Sequence, residues 1–281
     1  MKYKQIQPPD YLKDYVRYFW TLESHGVDAS PKTFRIVADG RPGLIFQRSK
    51  NGTFYDQDHK QWRRFFLYGQ TTKHTQIHPP AKFSTIGAYF YPSALKSIFG
   101  FDADELTDSC LDLNLIPEKQ GFHLSEQLLN ASSMRDQIEL IAAFLFFQIK
   151  RNNAQVDKPM LHALSQIIQS KGNLALDKLQ DNLGLSERSF ERHFKRCVGV
   201  PAKLFSRICR FQASLIQLGN NNYDKLSDIA FENEYADQSH FIRAFNEFAG
   251  FTPNQYQKQS NEVVENFPEL IKQPAVGFVL F

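Results

Sequence analysis

Two short stretches of this 281-residue chain carry side chains whose types and spacing suit hydrogen-bond chemistry at the edges of nucleic-acid bases. In the first, Phe190, Phe194 and Cys197 recur at helical spacing, which turns Arg188, Glu191, Arg192 and Lys195 to the opposite face. In the second, Phe241, Phe245 and Phe248 form the inner stripe. Ser239, Ile242, Arg243 and Asn246 point outward, with Gln238 at the helix start. Arg pairs with guanine O6 and N7, Gln with adenine, Glu accepts from cytosine N4, and an apolar Ile242 suits a thymine methyl. Lys195, Arg196 and Lys203 suit phosphates, contacts that position rather than specify.

The elements that must hold these residues are written twice. Phe190, Arg192, Phe194 and Gly199 recur as Phe241, Arg243, Phe245 and Gly250, each 51 positions on. In the first copy Leu176, Leu179 and Leu183 mark a support helix, Gly184 permits a tight turn, and Ser186 suits an N-cap. The next helix, about 186–197, stops at Gly199, and Pro201 opens another. In the second copy Asp237 caps a helix over about 237–248, Gly250 ends it and Pro253 starts the last short one. Between the copies, Ala202 to Leu218 reads as one helix striped by Leu204, Phe205, Ile208, Phe211 and Leu215. Its length of about 26 Å allows two reading helices to sit about one DNA turn, ~34 Å, apart.

Residues 159–258 resemble the DNA-binding domain of AraC-type transcriptional regulators, most specifically in Asp237-Gln238-Ser239-His240-Phe241-Ile242-Arg243-Ala244-Phe245 and Gly250-Phe251-Thr252-Pro253. The resemblance implies sequence-specific duplex binding, DNA bending and contact with RNA polymerase. It places the family's base-reading positions on Arg188, Glu191, Arg192, Gln238, Ser239 and Arg243. The chain departs from the family pattern at three positions. Gln180 stands where a small Ala packs, Glu234 replaces the turn Gly, and Asn246 stands where Lys is common. A Glu held at positive φ carries strain of about 1 kcal/mol, so a different local turn is expected at Glu234. Twelve Lys and Arg face ten Asp and Glu over 159–258, so non-specific affinity should be modest and salt-sensitive.

Residues 1 to about 91 read as β-rich, with aromatic runs at Tyr15–Leu22, Phe34–Val37, Leu44–Gln47, Trp62–Tyr68 and Phe83–Tyr91. Asp39-Gly40-Arg41-Pro42-Gly43 and Asn51-Gly52 punctuate them as turns. Helices follow at Ser93–Phe99, Ala103–Ser109 and about Ser133–Arg151; the last is apolar nearly all round and must be buried, in its own domain or in a dimer seam. Pro8-Pro9-Asp10-Tyr11-Leu12, the Ala38–Phe46 stretch and Gly87–Leu95 resemble the region preceding this DNA-binding domain in some AraC-type regulators. That resemblance covers roughly 1–125 and implies small-molecule sensing or dimerisation. Trp20, Trp62, Phe65 and Tyr89 are the candidate ligand contacts.

Other groups offer little chemistry. His74 and His78 are four apart, but Pro79-Pro80 and a β context argue against a helical metal pair. Asp102, Asp104, Glu105 and Asp108 near Cys110 suit a solvated acidic helix start. Cys110, Cys197 and Cys209 form neither a disulfide framework nor a zinc site, and there is no phosphate loop or nucleophile elbow. The amino terminus lacks a signal-peptide pattern, and Ile138–Ile149 is too short for a membrane span.

The sequence therefore predicts an α+β protein. A β-rich, barrel-like or sandwich domain with helices (1–151) is followed by a linker (152–159), an all-α double helix–turn–helix domain (160–258) and a tail (259–281) whose apolar end packs on a domain. The expected function is a cytoplasmic, non-enzymatic transcription regulator with no cofactor or metal. Its expected partners are double-stranded DNA, RNA polymerase, a small-molecule effector and a second copy in a homodimer, with no membrane partner. The alternative is a small-molecule-binding or protein-interaction module with a degenerate helix–turn–helix pair.

Overall fold

The structure, a computed structural model, describes residues 1–26, 33–49, 51–115, 123–259 and 264–265. The tail segment 276–281 lies outside the described residues. In chain order come β1 (Lys2–Ile6), β2 (Val16–His25), β3 (Phe34–Ile36), β4 (Gly43–Ser49), β5 (Tyr55–Asp56), β6 (Phe65–Tyr68), β7 (Thr75–His78) and β8 (Lys82–Phe90). Then follow α1 (Ala94–Phe99), β9 (Cys110–Asp112), α2 (Leu124–Asn130) and α3 (Met134–Asn152). The carboxyl half holds α4 (Lys158–Gln169), α5 (Leu176–Asn182), α6 (Glu187–Val198), α7 (Ala202–Gly219), α8 (Leu226–Glu232), α9 (Gln238–Ala249), α10 (Pro253–Gln259) and β10 (Val264–Glu265).

These elements form two compact units. The first comprises Met1–Pro31, Arg41–Gln70 and His78–Val156; the second comprises Lys32–Gly40, Thr71–Ile77 and Asp157–Phe281.

In the first unit β1-β2-β8-β4-β6-β9 form an open antiparallel sheet, and among the described residues there is no closed barrel. Side chains alternate between its faces. Phe19, Leu44, Phe46, Phe65, Leu67, Ile86, Ala88 and Phe90 share one face and one core with Leu95, Ile98, Leu128, Ile141 and Leu145 of the helices. The paired positions Trp20↔Gly87 and Tyr18↔Tyr89 lie on the other face. Gly87 is required there, because a Cβ would run into the Trp20 indole. The inner side of α3 is buried in this unit, while Phe146 and Phe147 at its outer side are each 37% exposed. Ser133 caps α3 by accepting from the Asp136 N–H, as its position before the apolar run requires. The acidic cluster is a capping box at Asp102 and Glu105, with Lys96 paired to Asp102.

The second unit is mainly helical. One core contains Met160, Ile167, Leu179, Phe190, Phe194 and Phe205; a second contains Phe211, Ile229, Phe241, Phe245 and Phe248. Val37 and Ala38 belong to the second core, fully buried. The expected strand at Phe34–Val37 does form, as β3, but it pairs with β7 through Phe34↔Ile77, Arg35↔Gln76 and Ile36↔Thr75. It thereby joins the helical unit and not the six-stranded sheet. Gly40 joins it too, with φ +71° and a virtual Cβ 3.2 Å from Phe205 Cε2 and 3.6 Å from Ile208 Cγ2. The Asp-Gly turn therefore seats the chain on α7.

Candidate nucleic-acid interface

The two reading helices are positioned by matched local chemistry. Ser186 Oγ accepts from the Ser189 N–H at the start of α6, and Asp237 Oδ1 accepts from the His240 N–H (2.6 Å) at the start of α9. Gly199 (φ 106°) and Gly250 (φ 76°) end them in the left-handed conformation. Inside, Phe190 packs on Phe194 and Phe194 on Phe205 with tilted rings, centroids 5.8 Å apart at each step. Phe245 meets Phe211 at 5.4 Å and Phe241 at 5.8 Å. Each helix is thus anchored through one face and exposes the other.

On that outer face Arg188, Arg192, Lys195 and Arg196 of α6 are exposed, as are Gln238, Ser239, Arg243 and Asn246 of α9. Ile242 is half-buried. Among the described residues Arg188, Arg192 and Arg243 carry no hydrogen bond or ion pair, so three guanidiniums stand available to an anionic partner. Asn246 adds no charge to this face.

Glu191 is engaged within the domain. Its carboxylate does not stand free to meet a cytosine: Oε2 accepts from the Ala202 N–H at 2.7 Å and Oε1 from the Lys203 N–H at 3.3 Å. Pro201 offers α7 no side-chain cap, and the helix's first N–H groups have no intrahelical partners. Glu191 supplies what Pro201 lacks.

The expected change at Glu234 does not occur either. Glu234 adopts φ 55°, keeping the left-handed turn that a Gly adopts easily. The strain is offset locally by Arg210, whose Nη1 donates to the Glu234 carbonyl (3.4 Å) while the guanidinium lies 5.7 Å from the Tyr235 ring centroid. Arg210 also donates to Gly172 O and Asn173 Oδ1, so one α7 side chain ties the loop after α4 to the second turn. Periodicity gave no role to Arg210, which is one of three cations on α7, with Lys203 and Arg207. Arg207 pairs with Glu247 and lies over Phe248, fixing α9 to α7.

Of the candidate ligand contacts, Trp20 and Tyr89 come together, with centroids 6.2 Å apart and Tyr18 at 5.3 Å from Tyr89. Trp62 stands edge-on to Phe66, whose cross-strand partner Ile45 shares their face. Phe65 does not join them: it faces the helices and packs on Phe46 at 5.9 Å, because it is one residue out of phase with Phe66. His74 and His78 fall in different units, and among the described residues no cluster of His, Cys, Asp and Glu suits a metal ion. Among them too, no helix is long and apolar enough to cross a membrane.

Residues 179–259 match the family described as a helix-turn-helix domain (HTH_18), and residues 4–112 match a domain of unknown function, DUF6597. Comparison with curated protein sequences returns no match. Among solved structures the chain is similar to ToxT from Vibrio cholerae, at 13% identity and TM-score 0.48, covering 85% of this chain and 97% of that one. ToxT of strain O395 bound to (E)-4-(8-methylnaphthalen-1-yl)but-3-enoic acid is similar at 11% identity and TM-score 0.46, covering 91% and 98%. The carboxy-terminal domain of AraT from Geobacillus stearothermophilus is similar at 22% identity and TM-score 0.35, covering 38% and 88%. With two capped helices and outward guanidiniums in the matching stretch, the chain carries an AraC-type double helix–turn–helix domain preceded by a DUF6597 domain.

Proposed function

We propose that α6 and α9 enter successive major grooves of one duplex, read by different residue sets. Arg188 and Arg192 read bases in one groove; Gln238, Ser239 and Arg243 read bases in the other, with Ile242 against a thymine methyl. Lys195, Arg196, Lys203 and Asn246 meet the phosphates. Glu191 holds α7 against α6 and reads nothing. The observation that carries this reading is the pair of helices with buried phenylalanines on one side and exposed, unengaged Arg188, Arg192 and Arg243 on the other. The intact turn at Glu234 weighs against a degenerate module.

The first unit acts as the sensor in this reading. The buried face bearing Tyr18, Trp20 and Tyr89, away from the helix-covered core, suits a small molecule with a flat or apolar body. Contact with RNA polymerase, action in the cytoplasm and a homodimeric state belong to the same proposal, on the AraC-type resemblance. Selection from a random duplex pool tests the core of it. The expected product is a bipartite site with half-sites about 10 base pairs apart, centre to centre. A single compact site, or no enrichment at low salt, would refute it.

A further inference from the structure

We infer that Arg35, from the amino-terminal half of the chain, is a positioning residue for the second reading helix. Its Nη1 donates to the carbonyls of Ala249 (3.3 Å) and Gly250 (3.2 Å), where α9 ends, and its guanidinium lies 4.6 Å from the Phe251 ring centroid. Terminal carbonyls of a helix lack intrahelical partners and carry the negative end of its dipole. A guanidinium placed there supplies both hydrogen bonds and charge.

Arg35 is part of a wider grip. The Ala38 N–H donates to Phe248 O (3.4 Å), and Gln212 Nε2 on α7 donates to Ala38 O (2.6 Å). Val37 and Ala38 are fully buried with Phe241, Phe245 and Phe248. The His74 ring lies against Gly250, so closely that a Cβ there would strike it. The carboxyl end of α9 is therefore held by residues more than 170 positions away in sequence, and Arg243 and Asn246 sit one to two turns from that grip.

The first reading helix is built differently. Among the described residues the hydrophobic core around α6 is built of residues from Met160 to Phe205 and their neighbours in the same half, and the amino-terminal half touches it through Gly40 beside Phe205. Its following helix is capped from within by Glu191. The two reading helices thus differ in what fixes them: α6 is fixed by its own half, α9 by a strand from the other half.

The inference rests on α6 and α9 being the base readers, so the test begins with the full-length wild-type chain and its selected bipartite site. Arg35→Ala and Arg35→Lys are then compared on that site and on duplexes with single base changes in either half. For Arg35→Ala, discrimination in the α9 half should fall about tenfold, the scale of one lost base contact. Discrimination and hydroxyl-radical protection in the α6 half should persist. Arg35→Lys, which keeps the charge and a donor but not the fork, should fall between. Equal loss in both halves, which general destabilisation would produce, overturns the inference, as does unchanged discrimination in both variants. If Arg35→Ala does not fold, Arg35→Lys alone decides by the same comparison. A wild-type chain that selects no sequence refutes the DNA-reading proposal itself, and this inference with it.

Discussion

Glu191 stands at a base-reading position by family resemblance and at a helix cap by geometry, and one substitution separates the two roles. Glu191→Ala removes an acceptor from the N–H groups of Ala202 and Lys203, at 2.7 and 3.3 Å. Loss of an N-terminal cap costs about 1 kcal/mol, and loss of a carboxylate at a helix N-terminus a further ~0.3–1 kcal/mol. The sum is roughly 1.5–2 kcal/mol, because α7 has no other side-chain cap. In a unit of this size that lowers the midpoint of thermal unfolding by about 5–8 °C. Glu191→Gln keeps an acceptor and loses only the charge, so its cost should be about half. Trp20 and Trp62, the chain's two tryptophans, lie in the first unit, so indole fluorescence would miss the event. Far-UV circular dichroism, dominated by the helices of the second unit, is the appropriate probe, in urea and on heating. Unchanged stability together with an altered base preference at one position would refute the capping role and return Glu191 to the groove.

Three further outcomes follow from the same geometry. Gly40→Ala forces an L-residue to φ +71° with its Cβ near Phe205, costing ~1–2 kcal/mol and regaining ~0.4–1 kcal/mol by stiffening the unfolded chain. Urea unfolding should show a net loss near 1 kcal/mol, and a stabilised variant would refute the placement. Arg243→Ala should weaken specific binding by about 1–3 kcal/mol and relax one base position, whereas Lys195→Ala should weaken all sequences alike and reduce the salt slope by about 1. Anisotropy titrations over a range of salt concentrations separate the two. His74 is pushed below its ordinary value near 6.5 by burial and, secondarily, by the neighbouring Arg35, with a backbone hydrogen bond at Glu247 opposing. The unfolded chain then binds this proton more readily than the folded one. Stability should hold above pH 6.5 and decline as pH falls from there towards the folded value. His74→Gln should flatten that decline, and an unchanged pH profile would argue against the burial.

The second unit was readable in the sequence wherever local chemistry decided the outcome. Ser186, Asp237, Gly184, Gly199 and Gly250 each sit where a cap or a left-handed turn demands that residue type, and the helix limits follow to within a residue or so. Phe190, Phe194, Phe241 and Phe245 announced their cores by spacing alone. What stayed hidden was set by partners distant in the chain. The Phe34–Val37 run shows a strand, but nothing within it says which core receives Val37. Short strands such as β1 and β7 carry Lys2, Lys4, Thr75 and Gln76, too polar to stand out as apolar runs. Glu191 looked like its outward neighbours because a 3.6-residue period cannot see the start of the next helix. Glu234 looked like a defect because the compensating donor, Arg210, lies 24 positions earlier.

The chain passes between its two units five times, since Lys32–Gly40 and Thr71–Ile77 interrupt the first to complete the second. That division bears on inheritance and engineering alike. A recombination breakpoint in the polar stretch around 152–159 would transplant the helices without Val37 and Ala38, leaving an unfilled hole beside Phe248. Chimaeras of this regulator should work when the two inserted segments travel with the helices, and a reading domain exchanged as a simple carboxy-terminal cassette should arrive incomplete.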